Sequence, residues 1–136
     1  MVRRPLKQSE LDKFRQFIQH LRIKSKEIPV IVESEKEKRV FDSLGVKNII
    51  KLSRPLETFA ENISKKYKNA IILLDTDKRG QRLFEEVESA LEQEGVKPDQ
   101  RFMQFIYHMR GVKRIDGIMA FYRKHMIDTP RKDVEL

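Results

Sequence analysis

The chain alternates short apolar runs with longer amphipathic stretches. Ile28-Pro29-Val30-Ile31-Val32 is wholly apolar and mostly β-branched, the texture of a strand buried on both faces. Ala70-Ile71-Ile72-Leu73-Leu74 repeats that texture and is the most apolar of the runs. Val46 to Leu52, with Asn48-Ile49-Ile50 at its centre, lies between them as another strand candidate. Helical spacing fills the intervals. Residues 35 to 44 turn Val40, Phe41 and Leu44 to one side and close at Gly45, a residue suited to the C-terminal cap. Pro55 stands where a first helical turn accepts it, and Leu56, Phe59, Ala60, Ile63 and Tyr67 follow at helical intervals. Gly80 is expected to open a further helix, with Leu83, Phe84, Val87 and Leu91 inward, Glu85, Glu86, Glu88 and Glu92 outward, and Gly95 at its end. Three β-α units in succession predict an α/β fold with a parallel sheet.

The two ends depart from this alternation. Residues 9 to 26 predict a helix with Leu11, Phe14, Phe17, Ile18 and Leu21 on one stripe and Ser9 capping the amide at Asp12. In the tail, Phe102, Phe105, Ile106 and Met109 have helical spacing, as do Ile115, Ile118, Met119, Tyr122 and Met126. Two helices are expected there, with a fourth strand near Phe102 to Tyr107 as the rival and a frayed end after Pro130. The organisation is one compact domain in three segments: a basic N-terminal helical arm over residues 1–27, a core over 28–95, and a basic, mainly helical extension over 96–136.

Composition narrows the chemistry. The 136 residues contain no cysteine, which excludes disulfides, thiolate nucleophiles and cysteine-held zinc. No apolar run approaches the roughly 20 residues that span a bilayer, and the basic start Met1 to Lys7 leads into no signal-peptide stretch. The expectation is a soluble, cytoplasmic protein with no membrane partner. The formal charge is +8, from 29 Lys and Arg against 21 Asp and Glu, and it is unevenly placed. Residues 1–29 carry +5, residues 97–136 carry +4, and the middle is −1. Basic flanks around a near-neutral centre fit a phosphate backbone held at the ends while central carboxylates gather a cation.

Those carboxylates stand at strand ends. Glu33 follows the first apolar run, and Asp75 and Asp77 follow the most apolar one. In a parallel α/β sheet the functional crevice opens beyond these ends. Side chains two residues apart share a face, so Asp75 and Asp77 point together. With Glu33 they make a hard oxygen site suited to Mg2+, or to Mn2+, with water completing the shell. Lys78, Arg79 and Arg82 lie beside it and are candidates to hold a phosphate. Tyr107 near Arg110 and Tyr122 near Arg123 could stack on bases, but their helical spacing favours packing.

Val30-Ile31-Val32-Glu33-Ser34 followed by Glu37, together with Leu73-Leu74-Asp75-Thr76-Asp77-Lys78-Arg79-Gly80, resembles the two motifs of the Toprim domain over roughly residues 28 to 95. That domain is shared by type IA topoisomerases, bacterial primases, RecR-type recombination proteins, overcoming-lysogenization-defect nucleases and the bacterial 5S-rRNA maturase. The resemblance implies a Rossmann-like parallel sheet of three to four strands sandwiched by helices. It makes Glu33 the general acid or base at a phosphodiester oxygen and Asp75 and Asp77 the magnesium holders. Glu37 takes the place where many members carry an Asp. Gln81 departs from the pattern, because topoisomerases and several nucleases carry a further acid there.

Other chemistries find no footing. Neither Gly-x-x-x-x-Gly-Lys nor Gly-x-Gly-x-x-Gly occurs, so no nucleotide cofactor is expected, and His20, His108 and His125 have no ligand spacing. Dehalogenase-type phosphatases place Asp-x-Asp-x-Thr after the first strand, whereas here the pair follows the third and Arg79 takes the Thr position. The sequence reads as a nucleic-acid-binding protein, RNA or DNA, with magnesium-dependent phosphodiester chemistry, most simply a small nuclease or processing enzyme. The alternative is a non-catalytic adaptor within a nucleic-acid-processing or ribosome-associated protein complex.

Overall fold

The computed structural model describes residues 8–109, 115 and 117–125. Among the described residues, six helices surround one four-stranded sheet. In chain order they are α1 (Gln8–Lys24), β1 (Val30–Val32), α2 (Glu35–Ser43), β2 (Ile49–Lys51), α3 (Leu56–Ser64), β3 (Asn69–Ile72), α4 (Lys78–Gln93), β4 (Lys97–Asp99), α5 (Arg101–Tyr107) and α6 (Gly117–His125). The strand order is β2-β1-β3-β4 and every pairing is parallel. Val30 pairs with Ile49 on one side and with Ile71 on the other, so the predicted apolar runs are neighbours in register. The result is a Rossmann-like α/β architecture. Among the described residues no helix is long and apolar enough to cross a membrane.

Strand alternation divides the interior into two layers. Val30, Val32, Ile71 and Leu73 face one way, against Phe14, Phe17, Ile18 and Leu21 of α1, Val40 and Phe41 of α2, Phe102, Met103 and Ile106 of α5, and Ile118 of α6. Ile31, Ile72 and Leu74 face the other way, against Phe59, Ala60 and Ile63 of α3 and Leu83, Val87 and Leu91 of α4. One cluster thus draws on all three segments read from the sequence. Phe17 of α1 stacks on Phe105 of α5 with ring centroids 4.4 Å apart and planes 10° from parallel. Phe14 meets Phe121 of α6 at 4.9 Å.

The structure corrects several expectations. The stretch Phe102 to Tyr107 is helical within α5, as expected, and the fourth strand lies not there but at Lys97–Asp99 just before it. Pro98 sits within that strand, which is possible because β4 lies at the sheet edge, where a missing N–H breaks no ladder. Helix α4 starts at Lys78 rather than Gly80, with Asp77 as its cap. Pro55 is the residue before α3 rather than its first. Ser9 is inside α1, which is already helical at Gln8, so it is no cap. The expected fray after Pro130 and the basic residues Arg3, Arg4 and Lys7 lie outside the described residues.

Candidate functional site

The chain leaves β1 into α2, on the face lined by α1, α5 and α6, and leaves β3 into α4, on the opposite face. Because β1 and β3 are adjacent, their departing loops diverge and open a crevice at the carboxyl ends of the strands. Glu33 and Asp75 and Asp77 stand at this divergence. The sheet therefore assembles the three predicted acids from two places in the sequence.

Each acid has a defined partner. Glu33 receives both arms of the Arg79 guanidinium: Nη1 donates to Oε2 at 2.8 Å and Nη2 donates to Oε1 at 2.7 Å. Arg79 Nη2 also lies 3.9 Å from Asp75 Oδ2, so one cationic nitrogen sits between two of the acids. The hydrogen bond and charge of Glu33 hold the Arg79 guanidinium protonated beyond its ordinary range. Asp75 is buried, and its Oδ1 accepts the backbone N–H of Ile115 at 2.6 Å. Asp77 caps α4 by accepting the N–H of Gly80 at 2.8 Å.

Gly80 is required by close approach rather than by dihedral freedom. A Cβ added there would lie 2.0 Å from the carbonyl oxygen of Asp75 and 3.1 Å from Asp77 Oδ1. The first turn of α4 is thus pressed against the acid-bearing loop, which positions Arg79 over Glu33. Gln81, at the place where some Toprim members have an acid, donates its amide to the carbonyl of Thr76 at 2.8 Å and steadies the same loop.

Glu37 is placed differently from the other acids. It is buried at the third position of α2, where its Oε1 accepts from the Ser34 N–H at 3.0 Å and the Ser34 hydroxyl at 2.7 Å. This is a capping box, and Ser34-x-x-Glu37 is its sequence signature, so the cue was present in the chain. Lys78 and Arg82 are exposed in the first turns of α4 beside the crevice. Arg82 also lines a groove with Arg54, Pro55 and Leu56 before and at the start of α3, a lining that includes Glu57, Glu85 and Glu86 as well. Of the aromatic candidates, Tyr122 packs 6.4 Å from Phe14, whereas Tyr107 is 44% exposed. His20 meets the edge of Phe102 and His108 Nδ1 pairs with the Gln104 carbonyl, while Arg110 lies outside the described residues.

Among the described residues no three His, Asp or Glu side chains form a ready-made metal group. The reason is visible in the contacts. Both Glu33 oxygens face Arg79, one Asp75 oxygen faces Ile115, and one Asp77 oxygen faces the helix start. The donor set nonetheless suits a hard cation, since it consists of carboxylates and already holds a positive nitrogen between Glu33 and Asp75. The partner of Asp75 that sequence reasoning missed is Ile115, whose contribution is a backbone N–H and leaves no side-chain signal.

Fold and site together define a parallel α/β protein with an acidic crevice at its topological switch point. No protein-family model matches the sequence. The chain is 28% identical over 120 residues to the UPF0292 protein MJ1624 of Methanocaldococcus jannaschii, a match spanning 85% of this chain and 94% of that protein. A solved structure of a protein from Aquifex aeolicus shares the fold, with a TM-score of 0.70 over 83% of this chain and 99% of that one at 24% identity.

Proposed function

We propose that the protein is a Toprim-type nucleic-acid-binding protein with magnesium-dependent phosphodiester chemistry, acting as a small nuclease or processing enzyme. The observation that carries this reading is the convergence of Glu33 with Asp75 and Asp77 at the ends of two adjacent parallel strands. Asp75 and Asp77, with Glu33 beside them, would hold Mg2+ or Mn2+, which when bound would supply Lewis-acid polarisation of a phosphoryl oxygen. Glu33 is the group to take or give a proton at the reacting oxygen once its carboxylate is released from Arg79. Lys78 and Arg82 stand where they can pair with phosphates flanking the reacting one. The basic ends supply sequence-independent attraction to the backbone.

The test is incubation with labelled single- and double-stranded RNA and DNA in magnesium, manganese or chelator. Metal-dependent cleavage that Glu33→Gln removes, with affinity retained, is the expected result. A neutral amide cannot take up the proton, whereas the basic flanks are untouched. The adaptor reading is favoured by one observation, the replacement of a further acid by Gln81, whose side chain is committed to Thr76. Binding without cleavage of any strand type, unchanged by Glu33→Gln, would establish it. Failure to bind either nucleic acid at moderate salt would remove both readings.

A further inference from the structure

We propose that Arg79 is a built-in counter-cation that competes with a divalent ion for the crevice and is drawn off Glu33 by a backbone phosphate. The inference rests on the reading that Glu33, Asp75 and Asp77 take a metal. It adds that phosphate and metal binding are coupled through one side chain. Arg79 uses both outer guanidinium nitrogens on Glu33, at 2.8 and 2.7 Å, and Nη2 reaches toward Asp75 at 3.9 Å. A divalent ion placed on Glu33 and Asp75 would meet that charge directly.

The local helix does not favour an arginine here. Arg79 is the second residue of α4, and the positive end of a helix dipole repels a cation. No acidic side chain lies in the first turn of α4 itself, so the attraction comes chiefly from Glu33 across the crevice, with the Asp77 cap and Asp75 adding to it. The arginine side chain is also 57% exposed, which leaves it open to a ligand from solvent.

A guanidinium fork matches a phosphate as well as it matches a carboxylate. Transfer of Arg79 from Glu33 to a phosphodiester would remove the competing charge and break both of its hydrogen bonds to Glu33 together. Coupling of this kind is reciprocal, so nucleic acid should raise metal affinity and metal should raise nucleic-acid affinity.

The experiment is a Mn2+ titration of the full chain, reading free aquo-ion by electron paramagnetic resonance. The proteins compared are wild type, Arg79→Met and the double variant Asp75→Asn with Asp77→Asn, each with and without a short oligonucleotide. Arg79→Met should bind Mn2+ about twofold to fivefold more tightly than wild type, the scale of one partly exposed ion pair. After subtraction of the double-variant background, the oligonucleotide should tighten wild-type binding and leave Arg79→Met unchanged. Thermal melting gives a readout independent of activity. Without metal Arg79→Met should melt below wild type, and Mg2+ should raise its Tm by more. Should Arg79→Met fail to fold, Arg79→Lys keeps the charge without the fork and should show a smaller tightening of the same sign. Equal Mn2+ affinity in wild type and the Arg79 variants, with binding lost in the double variant, overturns this inference and leaves the metal reading standing. No binding above the double-variant level in any protein overturns both.

Discussion

Asp75 and Ile115, forty residues apart in the chain, meet in a 2.6 Å hydrogen bond from a backbone N–H to a buried carboxylate. The acid at the end of β3 is thereby tied to the C-terminal extension. Any change in where that extension sits alters the environment of a candidate metal ligand.

Asp75→Ala should therefore cost about 1–3 kcal/mol of stability, because it leaves the Ile115 N–H buried without this acceptor. Asp75→Asn retains an acceptor oxygen and should cost much less. Urea denaturation of the two variants separates these outcomes, and equal losses would show that the hydrogen bond is not the stabilising element.

Asp77 has a structural duty as well as a proposed chemical one. Asp77→Ala should lose about 1 kcal/mol through the missing cap on α4, whereas Asn, an equally good cap residue, should restore the stability and not the metal affinity. Paired melting and Mn2+ titrations of both variants distinguish the two duties.

Gly80→Ala introduces a methyl group into the Asp75 carbonyl. The first turn of α4 must shift to admit it, so a loss exceeding about 2 kcal/mol is expected, together with disruption of the Glu33–Arg79 pair. Wild-type stability by denaturation would contradict this packing.

At the far edge of the sheet, Arg101 holds the Asp99 carboxyl below the ordinary aspartate range, chiefly through their side-chain hydrogen bond. A lowered folded-state value means that the stabilisation is full above the unfolded pKa, about 3.9, and fades as pH falls through the lower folded value. Arg101→Gln should flatten that acid-side loss. An unchanged stability profile between neutral and acid pH would show that the pair contributes nothing.

Exposed basic residues on α6 provide a separate handle on affinity. Charge reversal at Arg123 and Lys124 should weaken nucleic-acid binding for all sequences alike and make its salt dependence shallower. Binding measured across a range of salt concentrations tests this; an unaltered slope would place the interface elsewhere.

The apolar runs at Val30 and Ile71 were legible because strands buried on both faces need continuous hydrophobic residues. The helices were legible because α2, α3 and α4 must each turn a stripe inward. β4 was not legible, since Lys97-Pro98-Asp99 is an edge strand with a proline at its centre and no branched aliphatic or aromatic side chain. The acids at the strand ends could be placed from sequence, but their contacts could not. Arg79 next to Asp77 reads as a phosphate ligand, and only the parallel pairing of β1 with β3 brings it onto Glu33, 46 residues away. Glu37 was set beside the chemical acids on the strength of its motif position, although its spacing from Ser34 already described a cap.

The stacking of Phe17 on Phe105 has a consequence for how the molecule is made. During synthesis α1 emerges well before α5, so Phe17 lacks its stacking partner until α5 has followed. The opposite layer, built from α3, α4 and the strands between them, draws on neighbouring stretches of chain and can close earlier. Closure of the layer that covers α1 thus awaits the synthesis of α5, and a nascent chain halted short of Phe105 would carry an exposed aromatic stripe.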